Sequence, residues 1–197
     1  MKKERNQRPP RRMKPVFLVF CEGETEETYV NFLRQQYKLP IKIITHVTEL
    51  SQKKIKNYIE AEKITLNKKI SLDDKILSFL MYDLDADGII EKIEACKNSI
   101  SIASNPSVEL WFLLHNSEQN AFISTPACIE KLRKSAKEWE CYKKGVLTDK
   151  QKKILWENRE IASDRAKKLQ NGNNPSSMIY LLLDKMEKAR ETSGSDR

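Results

Sequence analysis

Two acidic turns carry the residues able to do chemistry. Cys21-Glu22-Gly23-Glu24-Thr25-Glu26 follows the apolar run Pro15–Phe20, and Asp83-Leu84-Asp85-Ala86-Asp87-Gly88 follows the run Lys75–Tyr82. Carboxylates crowded into one place repel unless a cation lies between them, so the pattern points to a hard metal with oxygen ligands. If the two runs are central strands of one parallel sheet, both turns open on its carboxyl edge, where open α/β sheets place their sites. Glu22, Glu26, Asp83 and Asp85 would then surround one or two divalent ions. Phosphodiester hydrolysis needs this arrangement: one ion activates water, and a second, roughly 3.5–4 Å away, offsets charge on the leaving oxygen. Gly23 is expected to let the first turn bend sharply and bring backbone close to a ligand.

The second turn has a rival reading. Asp83-x-Asp85-x-Asp87-Gly88-x-Ile90-x-x-x-Glu94 matches the twelve-residue calcium loop of an EF-hand, with Phe79 and Tyr82 as aromatics of an entering helix. Periodicity alone does not separate a short buried strand from a buried helical segment.

The elements that must position these acids decide in favour of a sheet. Pro15–Phe20 reads as a buried strand, Glu26–Tyr37 as a helix with Thr25 at its N-cap, and Ile41–Val47 as a second strand. Ser51–Leu66 reads as a helix and leads to the strand Lys75–Tyr82. The order β-α-β-α-β is that of a parallel sheet with helical crossovers. An EF-hand needs a helix before its loop and normally a second loop, and no second loop occurs. A helix over Ile89–Lys97, a short strand over Ser99–Ala103 and an apolar helix over Ser107–His115 follow. Thr125–Trp139, Thr148–Gln170 and Ser176–Ala189 show helical periodicity, with Asn171-Gly172-Asn173-Asn174-Pro175 separating the last two. The reading is α/β: a parallel sheet flanked by helices (15–116), with a helical C-terminal addition (117–190), a basic arm (1–14) expected to be disordered when free, and a frayed tail (191–197).

Composition fits a globular chain, with 32% charged and 39% hydrophobic residues among 197. No apolar stretch is long enough to span a bilayer, and no signal-peptide core follows the basic start. Cys21, Cys96, Cys128 and Cys141 form no CxxC pair, so zinc is not expected and reduced thiols in a cytoplasm are. Of the net charge of +8, the arm holds +6, from seven Lys or Arg and one Glu. Such an arm suits either phosphate tracking or plain solubility. The remainder is close to balanced, which argues against a broad nucleic-acid platform but not against a local groove.

The residues also resemble a known family. Glu22-Gly23 after one strand and Asp83-x-Asp85 after a later one resemble the Toprim fold of topoisomerases, DnaG-type primases and OLD-family nucleases. More narrowly, the chain resembles the RloB-like proteins of bacterial phage defence. Further matching stretches are Ser104-Asn105-Pro106-Ser107-Val108-Glu109-Leu110-Trp111-Phe112-Leu113-Leu114-His115, Tyr142-Lys143-Lys144-Gly145, Arg165-Ala166-Lys167-Lys168-Leu169 and Asn174-Pro175-Ser176-Ser177. They run in family order from 16 to about 185. The resemblance implies a Toprim-like sheet and a nuclease dependent on Mg2+ (or Mn2+), acting on DNA, tRNA or other RNA, often beside a partner ATPase. That ATPase must be another chain, since no Walker A motif occurs here. A homo-oligomer is left open, and a non-catalytic nucleic-acid-binding subunit is the alternative.

Carried over, Glu22 is the general acid/base or metal-positioning acid, Asp83 and Asp85 ligate metal, and Glu26 serves a second ion. Where the family often has an acid directly after the second Asp, this chain has Ala86, with Asp87 one place later. Outside the two turns, Glu109 sits in an apolar helix and needs a partner. Either the metal site or a cation such as Arg165 or a lysine would serve. His115 is a candidate for proton handling, with a capping or core histidine as the plainer reading. Lys144 and Arg165 are candidate phosphate contacts. Glu26 is also a first-turn acid that would favour the helix dipole.

Overall fold

The structure, a computed structural model, describes residues 15–45, 51–66, 76–85 and 88–194. The basic arm 1–14 and Asp87 lie outside the described residues. The chain forms β1 (Val16–Cys21), α1 (Glu24–Tyr37), β2 (Ile41–Ile44), α2 (Gln52–Leu66), β3 (Ile76–Met81), α3 (Ile89–Glu94), β4 (Ile100–Ser101), β5 (Ser104–Asn105), α4 (Val108–Leu114), α5 (Thr125–Ser135), α6 (Asp149–Glu157), α7 (Arg159–Lys167), β6 (Ser176–Ser177) and α8 (Tyr180–Gly194). A turn of 3-10 helix covers Lys137–Trp139. This is an α/β architecture with C-terminal helices, consistent with the Toprim-like layout expected from the sequence.

Four strands pair in the order β2-β1-β3-β4, all parallel. β1 and β3 are neighbours over their whole length, from Val16 opposite Ile76 to Cys21 opposite Met81. Both central strands are apolar without alternation because both faces are covered. Phe17, Val19, Cys21, Phe79 and Met81 face one core, shared with α1 and the helices from α4 to α8. Val16, Leu18, Phe20, Leu80 and Tyr82 face a smaller core closed by Ile55 of α2 and Ile93 of α3. The entering helix of an EF-hand is thereby replaced by a strand, and Phe79 and Tyr82 point to opposite faces of a sheet. The calcium-loop reading falls on that geometry.

Several helix bounds differ from the sequence pattern for local reasons. Gly23, not Thr25, is the N-cap of α1, which starts at Glu24. The periodic run Thr125–Trp139 breaks at Ala136, whose extended backbone (φ −163°) lets the 3-10 turn bury Trp139. The run Thr148–Gln170 breaks at Asn158, whose side-chain amide donates to the His115 carbonyl at 3.0 Å. Residues Ser176 and Ser177 form β6, paired antiparallel with β5, rather than the first turn of α8. α8 in turn continues to Gly194, past the point where fraying was expected. No helix of the described residues is long and apolar enough to cross a membrane.

α4 lies deepest. All seven of its residues, Val-Glu-Leu-Trp-Phe-Leu-Leu, are buried. Trp111 donates its indole N–H to the Tyr29 hydroxyl of α1 at 2.8 Å. The far end is held by Arg165 of α7, which donates to the Leu114 carbonyl at 2.6 Å. A helix-terminal carbonyl has no partner within its own helix, so this contact satisfies a group that burial would otherwise penalise. Arg165→Met is expected to cost about 1–3 kcal/mol in urea unfolding, with no change in the salt slope of nucleic-acid binding.

Candidate functional site

The β1–β3 register sets the site. Both strands end on the same edge, so the residues after Cys21 and Met81 emerge side by side. The Glu22 carboxylate accepts the backbone N–H of Asp83 at 3.2 Å, and Glu22 donates its own N–H to the Met81 carbonyl at 3.3 Å. Glu22 is exposed at the mouth, while Glu26 is buried one helical turn behind it. The Glu26 side chain reaches back to accept the Gly23 N–H at 3.1 Å, a link that fixes the start of α1. Gly23 itself is ordinary extended backbone (φ −140°). What its missing side chain provides is space, since a Cβ there would come within 3.2 Å of the Glu26 carboxylate. The expected sharp bend is therefore corrected to a close approach.

Asp83 is held from the other side. Its Oδ1 accepts the N–H of Val108, the first residue of α4, at 2.8 Å. Burial, then the negative charges of Glu26 and Glu109, push its carboxyl up from 3.8 to about 9, against the opposing pull of the Val108 N–H. Glu26 is raised too, by burial first and also by Glu109 and Glu22. Each acid makes the next harder to ionise.

One wall comes from the helical addition. The segment Tyr142–Gly145 lies as a strap across the start of α1. Gly145 donates its N–H to Thr25 Oγ1 at 2.9 Å, and the Thr28 hydroxyl donates to the Gly145 carbonyl at 2.8 Å. Glu22, Gly23, Glu24, Thr25, Glu26, Asp83, Lys144 and Gly145 together line a cavity of about 300 Å3. Glu109 lies fully buried behind it. It accepts from the Tyr142 hydroxyl at 2.9 Å and from the Ser107 hydroxyl at 2.7 Å, with Lys144 Nζ at 3.7 Å. Of its two expected partners it thus takes a lysine, not Arg165. Tyr142→Phe leaves one oxygen of a buried carboxylate without its donor and is expected to cost about 1–3 kcal/mol in urea unfolding.

Other candidates fall elsewhere. Asp85 is exposed and turned toward α5, where its carboxylate accepts from Thr125 Oγ1 at 2.6 Å. The cavity therefore gains Glu22, Glu26 and Asp83 but not Asp85. His115 closes the opposite end of α4 from Val108, roughly 10 Å along a seven-residue helix. It is buried, its Nδ1 lies 2.8 Å from the Trp111 carbonyl, and burial lowers it to about 4. A neutral core histidine at that distance handles no proton at the acids, which corrects its assignment. Arg165 is committed to Leu114 and does not line the cavity, so it is a structural cap rather than a phosphate contact. Cys21 is buried packing with its thiol pushed up by burial. Sequence reasoning missed Thr25, Thr28 and Ser107 as supports. Gly145, in the left-handed region at φ +79°, was the one readable signal of the strap.

Among the described residues no three His, Cys, Asp or Glu side chains converge on one point as a metal group. The carboxylates line a shared cavity without meeting. Their chemistry nonetheless fits a hard divalent cation. The donors are all oxygen, they come from two adjacent strand ends, and the repulsion that raises Asp83 is what a bound cation relieves.

No curated protein and no solved structure matches the chain. The family model described as RloB-like protein matches residues 17–186. That span runs from within β1 into the first half of α8, taking in the acids and the strap alike, and the chain belongs to the RloB-like family.

Proposed function

We propose that this protein is a divalent-metal-dependent nuclease of the Toprim type, hydrolysing phosphodiester bonds in DNA or RNA. In the same reading it works in the cytoplasm as an effector of bacterial antiphage defence, beside a separate ATPase. The observation that carries the proposal is the hydrogen bond from the Asp83 backbone N–H to the Glu22 carboxylate across adjacent parallel strand ends, with Glu26 and Lys144 lining the same cavity.

Glu22, Asp83 and Glu26 would hold Mg2+ or Mn2+, which when bound activates water and offsets negative charge on a phosphate. Glu22 is open to solvent and reaches across to Asp83, so it is the acid placed to accept a proton from attacking water. Asp83 is fixed in place by the Val108 N–H, and Glu26 by the Gly23 N–H. Such pre-set geometry removes reorganisation from the reaction. Lys144 faces the phosphate. Charge distribution supports a polyanionic substrate. Residues 15–116 carry twelve Lys or Arg against fifteen Asp or Glu, whereas residues 117–190 carry sixteen against ten. The body is balanced only in sum: its basic half supplies the strap beside the acids.

The test is incubation of the full chain with duplex DNA, single-stranded DNA, RNA and tRNA, alone and with the partner ATPase, in Mg2+, Mn2+ or chelator. Metal-dependent cleavage of one class is the expected result. Salt-sensitive binding without cleavage in every condition would instead establish the non-catalytic subunit.

A further inference from the structure

Phe122 is the most exposed large apolar side chain among the described residues, with 77% of its surface in solvent. A scatter of exposed apolar residues is ordinary, but this ring does not sit on a loose tip. The residue after it, Ile123, is buried, and the side-chain amide of Asn174 takes both its N–H and its carbonyl, at 3.0 and 2.9 Å. On the other side, Gln119 donates to the Ala121 carbonyl at 2.6 Å, and Lys131 Nζ donates to Gln119 Oε1 at 2.6 Å. The backbone is thus fixed before and after the ring, while the ring itself stays in water and forgoes the burial that favours folding.

The same loop is joined to the acid turn. Phe122 lies three residues before Thr125, at most about 11 Å of extended chain. The Thr125 hydroxyl donates to Asp85 at 2.6 Å, and Asp85 lies two residues after Asp83, at most about 7 Å. Lys168, 71% exposed, stands beside the loop with Nζ 3.8 Å from Glu118. A pair so open to water does not hold the ammonium back from a phosphate. Single strands are bound by this combination: bases stack on an aromatic face and phosphates meet nearby cations. Inside a duplex the face of each base is covered by its neighbours. A ring on a protein surface therefore takes a base that is unpaired or splayed out.

We propose that Phe122 is a stacking platform for a base near the scissile phosphate, and that the substrate of the acid cavity is accordingly a single strand or an unpaired loop or end. The inference rests on the nuclease reading of that cavity and narrows it to a substrate class. The helical addition then chooses the strand, and the acids at the strand ends of the sheet cut it.

Fluorescence anisotropy of the full chain in Mg2+ tests it, with short single-stranded DNA and RNA and the same sequences as duplexes. A Glu22→Gln background keeps the strands intact. Phe122→Ala and Phe122→Leu are each expected to weaken single-strand binding by about 5- to 150-fold, the loss of one stacked base, and to leave duplex binding as it was. Phe122→Trp is expected to restore it. A 2-aminopurine in the strand should lose emission on binding the parent or Phe122→Trp, and keep it on binding Phe122→Leu. Urea unfolding of each variant should match the parent, since the ring is exposed. Unchanged single-strand affinity in Phe122→Ala, full affinity in Phe122→Leu, or equal losses on single strands and duplexes would overturn this inference. Cleavage of duplexes alone would do the same and leave the nuclease reading standing. If Phe122→Ala lost only its association with a second copy or with the partner ATPase, the ring would be a protein contact and the inference would fall. Ring-dependent binding of single strands by a wild-type chain that cuts nothing would keep the platform and overturn the nuclease. No binding to any nucleic acid would overturn both.

Discussion

Glu22→Gln combined with Asp83→Asn is expected to abolish metal-dependent cleavage, by at least about 10³-fold in single-turnover assays, while the protein stays folded. Removing an acid that moves a proton costs on the order of 10²–10⁴-fold, and Asp83→Asn also weakens the ion's seat. Because the two residues share one backbone hydrogen bond and one cavity, the losses should not add: either single variant should come close to the double. A second readout separates catalysis from collapse. In chelator at pH 8 the double variant should melt higher than wild type, because an Asp83→Asn chain need not take up on folding the proton that Asp83 has released in the unfolded chain at that pH. Robust cutting by the double variant would sink the active-site assignment. A lower melting temperature would instead mean that Asp83 is structural.

The metal-free protein should lose stability steadily as pH rises from about 6.5 to about 9, and saturating Mg2+ should erase the slope. The sign follows from two buried groups. Asp83 is raised from 3.8 to about 9 in the folded chain, so the folded state holds a proton that the unfolded chain has released. Its contribution is complete below the unfolded value and is lost as pH climbs through the folded one. His115 is lowered from 6.5 to about 4, so it favours the folded state above 6.5 and ceases to do so as pH falls toward 4. Between about 4 and 6.5 the two slopes oppose each other. Above 6.5 His115 is silent and Asp83 sets the slope, with Glu26 shifted in the same direction and the buried thiols of Cys21 and Cys128, also raised by burial, joining as pH nears 9. Thermal melts in chelator across that range check this: wild type should slope downward, and Asp83→Asn should slope clearly less. Metal at a hundredfold excess over its Kd adds about 2.7 kcal/mol at neutral pH, which should appear as a rise in melting temperature that Asp83→Asn lacks.

Much of this was legible in the chain itself, and the reasons are local. Strands buried on both faces must be continuously apolar, so Val16–Phe20 and Ile76–Tyr82 announce themselves, and acids at their ends have few structural explanations. What the sequence left ambiguous was register and direction. Asp85 sits two residues from Asp83, and only the turn geometry sends it to Thr125 instead of the cavity. His115 and Arg165 look chemical in a linear reading because both are polar residues in matching motifs. In space they stabilise the same helix end, through the Trp111 and Leu114 carbonyls. Helix periodicity also overran Ala136 and Asn158, where tertiary packing and a side-chain hydrogen bond outweighed local preference. The strap was the least readable part, because its contacts join residues more than a hundred positions apart.

The shared larger core has a consequence for how the molecule comes apart. Side chains of β1, β3 and α1 are interleaved in it with those of α4, α5, α7 and α8, so no cut through the chain separates two self-sufficient pieces. Melting should be a single cooperative event seen identically by every probe. A fragment ending after α4 should behave as an insoluble remnant, never as a smaller folded unit. Damage anywhere in the late helices would then disturb the acids far upstream, giving a protein that is either whole or inert.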